Sequence, residues 1–325
     1  MGKKRRSQRW LVLLESQRTQ FCVMKKFRQI LVGMDFSPAS RAALQTASRI
    51  ATWDGGQVTV LHVMDPVLAS EIKQSHKFTD EQVFEDMRAR VQSFLEHAQV
   101  PLAHLRIEVD LGHPFVRIVK ACHRLETELL VLGTRGSEHG PRQIGTMAAK
   151  CVRKAPTDVL LVRENLKGPF KHIVACVDFS ETSAHAVQDA RKVAEQDGAK
   201  LDCLFVFQSA LALSLDYGGY LPASALIPNS EALETWKKTL DEFLQPLLRE
   251  SQGLEWRAVV EERPSVRESI YDYVQSGKLD LVVLGTRGKS DLRALIMGTT
   301  AEKIVTHAPC SVLAVKPDDF EYDVD

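Results

Sequence analysis

The chain has 325 residues, of which 44% are hydrophobic and 26% charged, and its 42 basic and 42 acidic side chains give a formal net charge of zero. This composition is typical of a globular protein and excludes a disordered or collagen-like chain. The charge balance argues against a dedicated nucleic-acid-binding protein. No apolar run approaches the roughly 20 residues that cross a bilayer, so neither nucleic acid nor a membrane is an expected partner.

The chain begins with a basic stretch and ends with an acidic one. Residues 1–23 carry six basic side chains and one acidic one, and residues 316–325 carry one basic and five acidic. The apolar run at residues 10–14 is shorter than the roughly 7–15 residues of a secretion signal. Residues 1–24 are therefore interpreted as an N-terminal extension. Either the natural start is Met24 and residues 1–23 lie upstream of it, or the stretch is a disordered basic tail. A targeting segment is a third reading, and residues 318–325 are interpreted as an acidic tail.

From residue 25 onward, short apolar runs alternate with amphipathic patterns. Residues 29–34 are predicted to form a buried strand, and Ser37 followed by Pro38 predicts the cap and first residue of a helix that ends at Gly55. The pattern then predicts strands at 58–63, 105–110, 128–132 and 158–162, helices at 83–95 and 114–126, and a glycine-containing loop and helix before the last strand.

The sequence then repeats itself. Residues 27–37 match residues 170–180 at five of eleven positions, and residues 129–136 match residues 281–288 at seven of eight. We therefore predict two related domains, at residues 25–165 and 170–317, joined by a short turn. The second copy is predicted to have strands at 172–177, 201–206, 255–260, 280–284 and 311–315, helices at 181–196, 231–250, 265–276 and 299–307, and a loop insertion at 208–230.

The six cysteines show no C-x-x-C spacing, and the histidines show no metal-ligand spacing. Most of these cysteines lie in apolar runs, which predicts buried free thiols in a reducing, cytoplasmic compartment. No metal site is predicted. The cysteines are Cys22, Cys122, Cys151, Cys176, Cys203 and Cys310.

Alternating strands and helices predict an α/β fold with a doubly wound parallel sheet, whose ligands bind beyond the carboxyl ends of the strands. In the second copy Asp178 follows the first strand, and the fourth strand leads into Gly285-Thr-Arg-Gly288, nine residues, and Gly298-Thr299-Thr300. Glycines allow close approach of phosphate oxygens, and a helix start offers N–H groups to them. Thr299 and Glu302 also fit a capping box. The pattern is not a P-loop, because no Lys follows the second glycine pair.

This pattern resembles the ATP-binding motif of the universal stress protein family. The glycine loop, Val177-Asp178-Phe179-Ser180 and the run at residues 307–315 carry the resemblance, which extends over about residues 27–317. It implies two tandem Rossmann-like (adenine nucleotide α-hydrolase-like) domains, each a five-stranded parallel sheet with helices on both faces. In that family the domains pair through their last strands.

The resemblance also implies which residues contact the nucleotide. It assigns adenine and ribose to Asp178 and to the backbone at Val206. It assigns the phosphates to Gly285, Arg287, Gly288, Gly298, Thr299 and Thr300. The equivalent residues of the first copy are Asp35, Val63, Gly133, Gly136, Gly145 and Thr146.

The first copy departs from the family pattern in two ways. Gly136 and Gly145 enclose eight residues instead of nine, and Met147 replaces the second hydroxyl of the motif. A one-residue deletion displaces the start of the following helix unless the loop rearranges. We therefore expect weak nucleotide binding, or none, in the first copy.

The resemblance implies an ATP-binding or adenine-nucleotide-binding protein with a regulatory or stress-response role, with Mg²⁺ as a candidate companion of the nucleotide. No nucleophile–base pair is evident, so no catalytic residues are predicted. Two alternatives stay open, a slow ATPase and a nucleotide-free interaction module for an unidentified protein partner. The two domains are expected to form an intramolecular pseudo-dimer, and a homodimer of the whole chain is left open.

Overall fold

The computed structural model describes residues 27–100, 105–134, 144–208, 230–249, 251, 253–276, 278–288, 297–320 and 322. The predictions for residues 1–24, for most of the loop insertion at 208–230 and for Gly136 lie outside these residues, as do Cys22 and most of the acidic tail.

The first repeat alternates strands and helices as its sequence predicts. Its strands are β1 (Gln29–Gly33), β2 (Gln57–Met64), β3 (Leu105–Leu111), β4 (Leu129–Gly133) and β5 (Asp158–Val162). Its helices are α1 (Pro38–Asp54), α2 (Pro66–His76), α3 (Asp80–His97), α4 (Pro114–Arg124) and α5 (Thr146–Lys154).

The second repeat follows the same order. Its strands are β6 (His172–Cys176), β7 (Lys200–Gln208), β8 (Trp256–Arg263), β9 (Leu281–Gly285) and β10 (Ser311–Val315). Its helices within the described ranges are α6 (Glu181–Asp197), α7 (Ser230–Leu248), α8 (Val266–Ser276) and α9 (Thr299–His307).

Helix α1 begins and ends where its sequence predicts. The Ser37 hydroxyl accepts a hydrogen bond from the Ser40 N–H at 3.1 Å, and Pro38 occupies the first turn. Gly55 ends the helix in the left-handed region, with φ of 63°. Helix α2 was not predicted. It buries no residue completely, and its Val67 is 67% exposed, so it lacks the apolar stripe that identifies a helix in sequence.

The strands form a single ten-stranded sheet, in the order β3-β2-β1-β4-β5-β10-β9-β6-β7-β8. Neighbouring strands within each repeat are parallel. Helices cover both faces and bury two large apolar clusters against the sheet. The predicted fold class is confirmed. No helix among the described residues is both long and apolar enough to cross a membrane.

The two repeats join through their last strands. Strands β5 and β10 pair antiparallel, with Leu161 opposite Val312 and Leu160 opposite Leu313. Helices α1 and α6 lie across the same junction and form two ion pairs. Arg49 of α1 pairs with Asp197 of α6, and Lys192 of α6 pairs with Asp54 of α1.

Each repeat contributes one buried basic side chain that contacts the other repeat across the junction. The Lys316 ammonium donates to the backbone oxygens of Val152 and Arg153, at the carboxyl end of α5, at 2.6 and 3.0 Å. The Arg163 guanidinium donates to the backbone oxygens of Ala308 and Cys310, just after α9. Positive charge is favourable at a helix carboxyl end, where unpaired carbonyl groups collect.

The cysteines within the described part of the chain carry free thiols. Burial raises the pKa of Cys122, Cys176 and Cys310 to about 12. These thiols therefore stay protonated at neutral pH, and protonated thiols are poor nucleophiles.

We predict that Leu161→Ala strongly destabilises the chain. Leu161 is fully buried beside the β5–β10 pair, and emptying such a site costs about 2–5 kcal/mol. Leu68→Ala is the matched control, because Leu68 is 49% exposed and surface changes stay within about 0.5 kcal/mol. Urea unfolding of both variants measures the difference, and equal midpoints would contradict the prediction.

Lys316 provides a test of the junction by pH. The residue is 3% exposed, and burial lowers its pKa from 10.5 to about 7, with Asp158 opposing the shift. Between about pH 7 and pH 10.5, Lys316 is protonated in the unfolded chain and has lost its proton in the folded chain. The free energy of unfolding therefore rises with pH over this window, by up to about 1.4 kcal/mol per unit.

We predict that Lys316→Met removes this rise. The stability difference between the wild type and the variant should grow in favour of the wild type from about pH 7 to about pH 10. Lys200→Met, at a 61% exposed lysine paired with Glu255, controls for the loss of one lysine. Parallel pH profiles for the wild type and Lys316→Met, measured by urea unfolding, would contradict the prediction.

Candidate functional site

The strand order reverses direction between β6 and β9, which places a crevice at their carboxyl ends. Asp178 lies two residues beyond β6 in this crevice. One of its carboxylate oxygens accepts hydrogen bonds from the Ser180 N–H at 3.0 Å and the Ser180 hydroxyl at 2.5 Å. This short turn fixes the direction of the Asp178 carboxylate. Asp178 itself is half-buried.

Phe179, between these two residues, has a left-handed backbone with φ of 61°. This conformation is costly for a bulky residue. Aromatic contacts of the Phe179 ring offset this cost. Its centroid lies 4.6 Å from that of Phe205 and 5.9 Å from that of Trp236. The same ring packs edge-on against Phe243. The aromatic cluster therefore holds the turn that orients Asp178.

The structure brings the two predicted motifs of the second repeat together at Gly288. A Cβ atom added there would lie 2.6 Å from a carboxylate oxygen of Asp178, which is closer than real Cβ atoms approach. The backbone of the glycine loop thus lies directly against the acid after the first strand, and a side chain at position 288 would have to displace the Asp178 carboxylate.

Gly285 has a different physical role. A Cβ atom there would lie 2.9 Å from Cγ2 of Thr182 in the first turn of α6. In the first repeat the equivalent Gly133 lies against the backbone of Ala39 in α1, with a Cβ distance of 2.7 Å. The first glycine of each loop is therefore required for helix–strand packing, whatever it contributes to a ligand.

Thr286 holds the loop to its neighbours and was not predicted as a site residue. It is 1% exposed, and its N–H and hydroxyl both donate to the Val315 oxygen, at 2.9 and 3.1 Å. Its own carbonyl accepts from the Gly298 N–H at 2.9 Å. The signal was present in the sequence, because Thr134 occupies the equivalent position and makes the same backbone contacts to Val162 and Gly145.

Helix α9 begins without a side-chain cap. Gly298 is the N-cap residue, and Thr299 is already the first helical residue. The predicted capping box of Thr299 and Glu302 is therefore wrong, because Thr299 lies one position too late to act as the cap. The Glu302 N–H donates to the Gly298 carbonyl at 2.9 Å. Since Gly298 offers no side-chain oxygen, the N–H groups of the first turn suit an anionic ligand.

The remaining predicted residues surround this arrangement. Thr299 is exposed and Thr300 is half-buried at the start of α9. The Val206 side chain is 6% exposed within the core, which leaves its backbone as the part able to meet a ligand. Arg287 lies 2.7 Å from Asp319, measured between Nη1 and a carboxylate oxygen, so its guanidinium is already paired with a carboxylate.

The first repeat has a related but more open arrangement. Asp35 is exposed, and its carboxylate accepts a hydrogen bond from the Ser37 N–H at 3.1 Å. Gly145 is the N-cap residue of α5, and Thr146 is exposed as its first residue. Val63 is half-buried on β2.

Metal ligands do not gather at either edge in the described ranges. No group of three His, Cys, Asp or Glu side chains there could hold a metal ion. The polar groups at this edge of the second repeat are instead backbone N–H and hydroxyl groups, which can donate, and the Asp178 carboxylate, which accepts.

The protein is thus a tandem α/β protein, made of two joined copies of a doubly wound fold. In each copy an acid follows the first strand and a glycine ends the fourth strand, at the point where the strand order reverses. The chain belongs to the universal stress protein family, which it matches over residues 26–163 and again over residues 169–316.

Individual relatives agree with this assignment. The chain is 28% identical over 153 residues to a universal stress protein of Methanocaldococcus jannaschii, a match that covers 47% of this chain and 84% of the relative. It is 23% identical over 300 residues to one of Mycolicibacterium smegmatis, over 89% and 97% of the two chains. The crystal structure of a universal stress protein from Archaeoglobus fulgidus shares the fold, with a TM-score of 0.60 and 17% identity over 88% and 97%.

We predict that Gly285→Ala destabilises the chain and that Thr182→Ser partly rescues it. The added methyl group would meet Thr182 Cγ2 at 2.9 Å, and such overpacking costs about 1–3 kcal/mol. Serine at position 182 removes that carbon and keeps the hydroxyl. A double-mutant cycle on unfolding free energies measures the coupling, and strictly additive effects would show that this contact is not the cause.

Proposed function

We propose that this chain is an adenine-nucleotide-binding protein with a regulatory, stress-response role, that its ligand is ATP, and that the second repeat holds the principal site. One observation carries the proposal. The backbone at Gly288 lies against the Asp178 carboxylate, and the same loop ends at the uncapped start of α9. A hydrogen-bond acceptor for a nucleoside and donors for its phosphates therefore lie at the two ends of one loop.

Each part of this crevice suits one part of the ligand. The Asp178 carboxylate can accept hydrogen bonds from ribose hydroxyls, and the backbone at Val206 can meet the edge of adenine. The loop and helix start supply N–H and hydroxyl donors for phosphate oxygens. Mg²⁺ would accompany the phosphates and needs few protein ligands of its own. The phosphate-binding residues in this proposal are Gly285, Arg287, Gly288, Gly298, Thr299 and Thr300.

The first repeat is proposed as the weaker site. Its acid is exposed, whereas Asp178 is half-buried, so its interaction with a ligand would be screened more by water. The eight-residue spacing between Gly136 and Gly145 and the presence of Met147 also depart from the second repeat.

The organisation of the chain is part of the same proposal. We infer domains at residues 25–165 and 170–317 that form a pseudo-dimer through β5 and β10. The free thiols suit a reducing compartment such as the cytoplasm.

The test is a matched pair of substitutions, Gly298→Asp and Gly145→Asp. Both place a carboxylate at the N-cap of a helix, where Asp is favoured, so both variants should fold. At position 298 the carboxylate should take the first-turn N–H groups and repel phosphate. We expect ATP affinity, measured by isothermal titration, to fall at least tenfold, or about 1.4 kcal/mol, in Gly298→Asp. Gly145→Asp should bind like the wild type.

The other outcomes are equally informative. Loss of binding only in Gly145→Asp would move the site to the first repeat. A wild type that binds no ATP, or two variants that bind ATP as the wild type does, would overturn the proposed function.

A further inference from the structure

We propose that the acidic C-terminal segment competes with a nucleotide for the phosphate site. This segment comprises residues 317–320 and Tyr322, and its Asp319 pairs with Arg287, the cation that a nucleotide phosphate would otherwise bind. This inference rests on the proposed function and adds a regulatory contact to it. The segment follows Lys316, the first residue after β10, and brings Asp319 to Arg287.

The competing contact is the ion pair between Arg287 and Asp319. Arg287 Nη1 lies 2.7 Å from a carboxylate oxygen of Asp319, and the two side chains are 18% and 62% exposed. The guanidinium is thus the largely enclosed partner, and the carboxylate approaches it from the solvent side. Carboxylates and phosphates present the same kind of oxygen acceptors to arginine, so one can replace the other.

The turn that presents Asp319 is held by its neighbours. The Phe320 N–H donates to the Pro317 carbonyl at 3.0 Å, and the Lys316 ammonium lies 3.9 Å from the centre of the Phe320 ring. A carboxylate oxygen of Asp318 lies 3.6 Å from Nδ1 of His185 on α6. Asp318 and Asp319 therefore face different elements, although they are adjacent in sequence.

Tyr322 anchors the far end of the segment on the first repeat. Its hydroxyl accepts a hydrogen bond from the Lys154 ammonium at 3.0 Å, and its backbone oxygen lies 2.9 Å from Nε2 of His123. Its ring packs against Phe115, with a centroid distance of 6.3 Å.

An anchored segment acts as a ligand of high effective concentration. Asp319 stays beside Arg287 because both ends of its segment are attached to the protein, so a nucleotide must displace it. Since the coupling is reciprocal, a phosphate bound at Arg287 releases Asp319 by the same factor. Phosphate-bearing ligands should sense this competition, and a nucleoside without phosphates should not.

The experiment compares Asp319→Asn with Asp318→Asn as the matched control, using the full chain and isothermal titration. Both changes remove one negative charge from adjacent positions and preserve side-chain shape. We expect Asp319→Asn to bind ATP about two- to fivefold more tightly than the wild type, the range set by one exposed ion pair. Asp318→Asn should bind ATP like the wild type, and adenosine should bind equally to all three proteins.

Four results would overturn the inference. Equal tightening in both variants would show a general effect of net charge, and tighter adenosine binding in Asp319→Asn would show an effect unrelated to phosphate. ATP binding that is unchanged in Asp319→Asn would reject the competitor while leaving the proposed function intact. Absence of ATP binding in the wild type and in both variants would instead reject the proposed function, and the inference with it.

Discussion

The antiparallel contact between β5 and β10 is the constraint on which the rest of the molecule depends. It uses the inner edge of each repeat's sheet, so ten strands become one continuous layer. The same contact brings Lys316 to the carboxyl end of α5 and Arg163 to the end of α9. These contacts are those of a two-fold symmetric dimer, but both halves belong to one chain. Each half can therefore change its sequence independently, which a true homodimer cannot do.

The candidate sites at the carboxyl ends of the strands differ between the two repeats. Both keep the same frame, in which Thr134 or Thr286 ties the loop to the last strand and to the next helix. They differ in the side chains that surround the turn after the first strand. Phe205 and Trp236 pack against that turn in the second repeat, whereas His62 faces the equivalent Phe36 in the first, with a ring distance of 4.8 Å. The frame is conserved between the halves, as is an edge-on contact of Phe36 with Phe94 and of Phe179 with Phe243. The rest of this aromatic lining differs.

The sequence predicted the order of strands and helices because burial on a two-sided sheet leaves a strong apolar pattern. It missed α2, whose Val67 points to solvent, because a helix with no buried stripe has no periodic signal. The capping box failed since a one-residue shift moves Thr299 into the helix. Asp319 was visible only as part of an acidic tail, and its pairing with Arg287 depends on a chain path that local sequence does not encode. The misses were thus a helix without a buried stripe, a helix start displaced by one residue, and an ion pair set by tertiary structure.

The outer edges of the sheet have a further consequence. Among the described strands, β3 and β8 lie at the two outer edges of the sheet, and edge strands are templates for joining chains edge to edge. Charged side chains alternate along β3 as Arg106, Glu108 and Asp110, and β8 ends in Glu261, Glu262 and Arg263. A further strand that joined either edge would have to desolvate these charged side chains, which opposes extension of the sheet. Charged edge strands are one of the means by which native proteins limit edge-to-edge joining of their sheets.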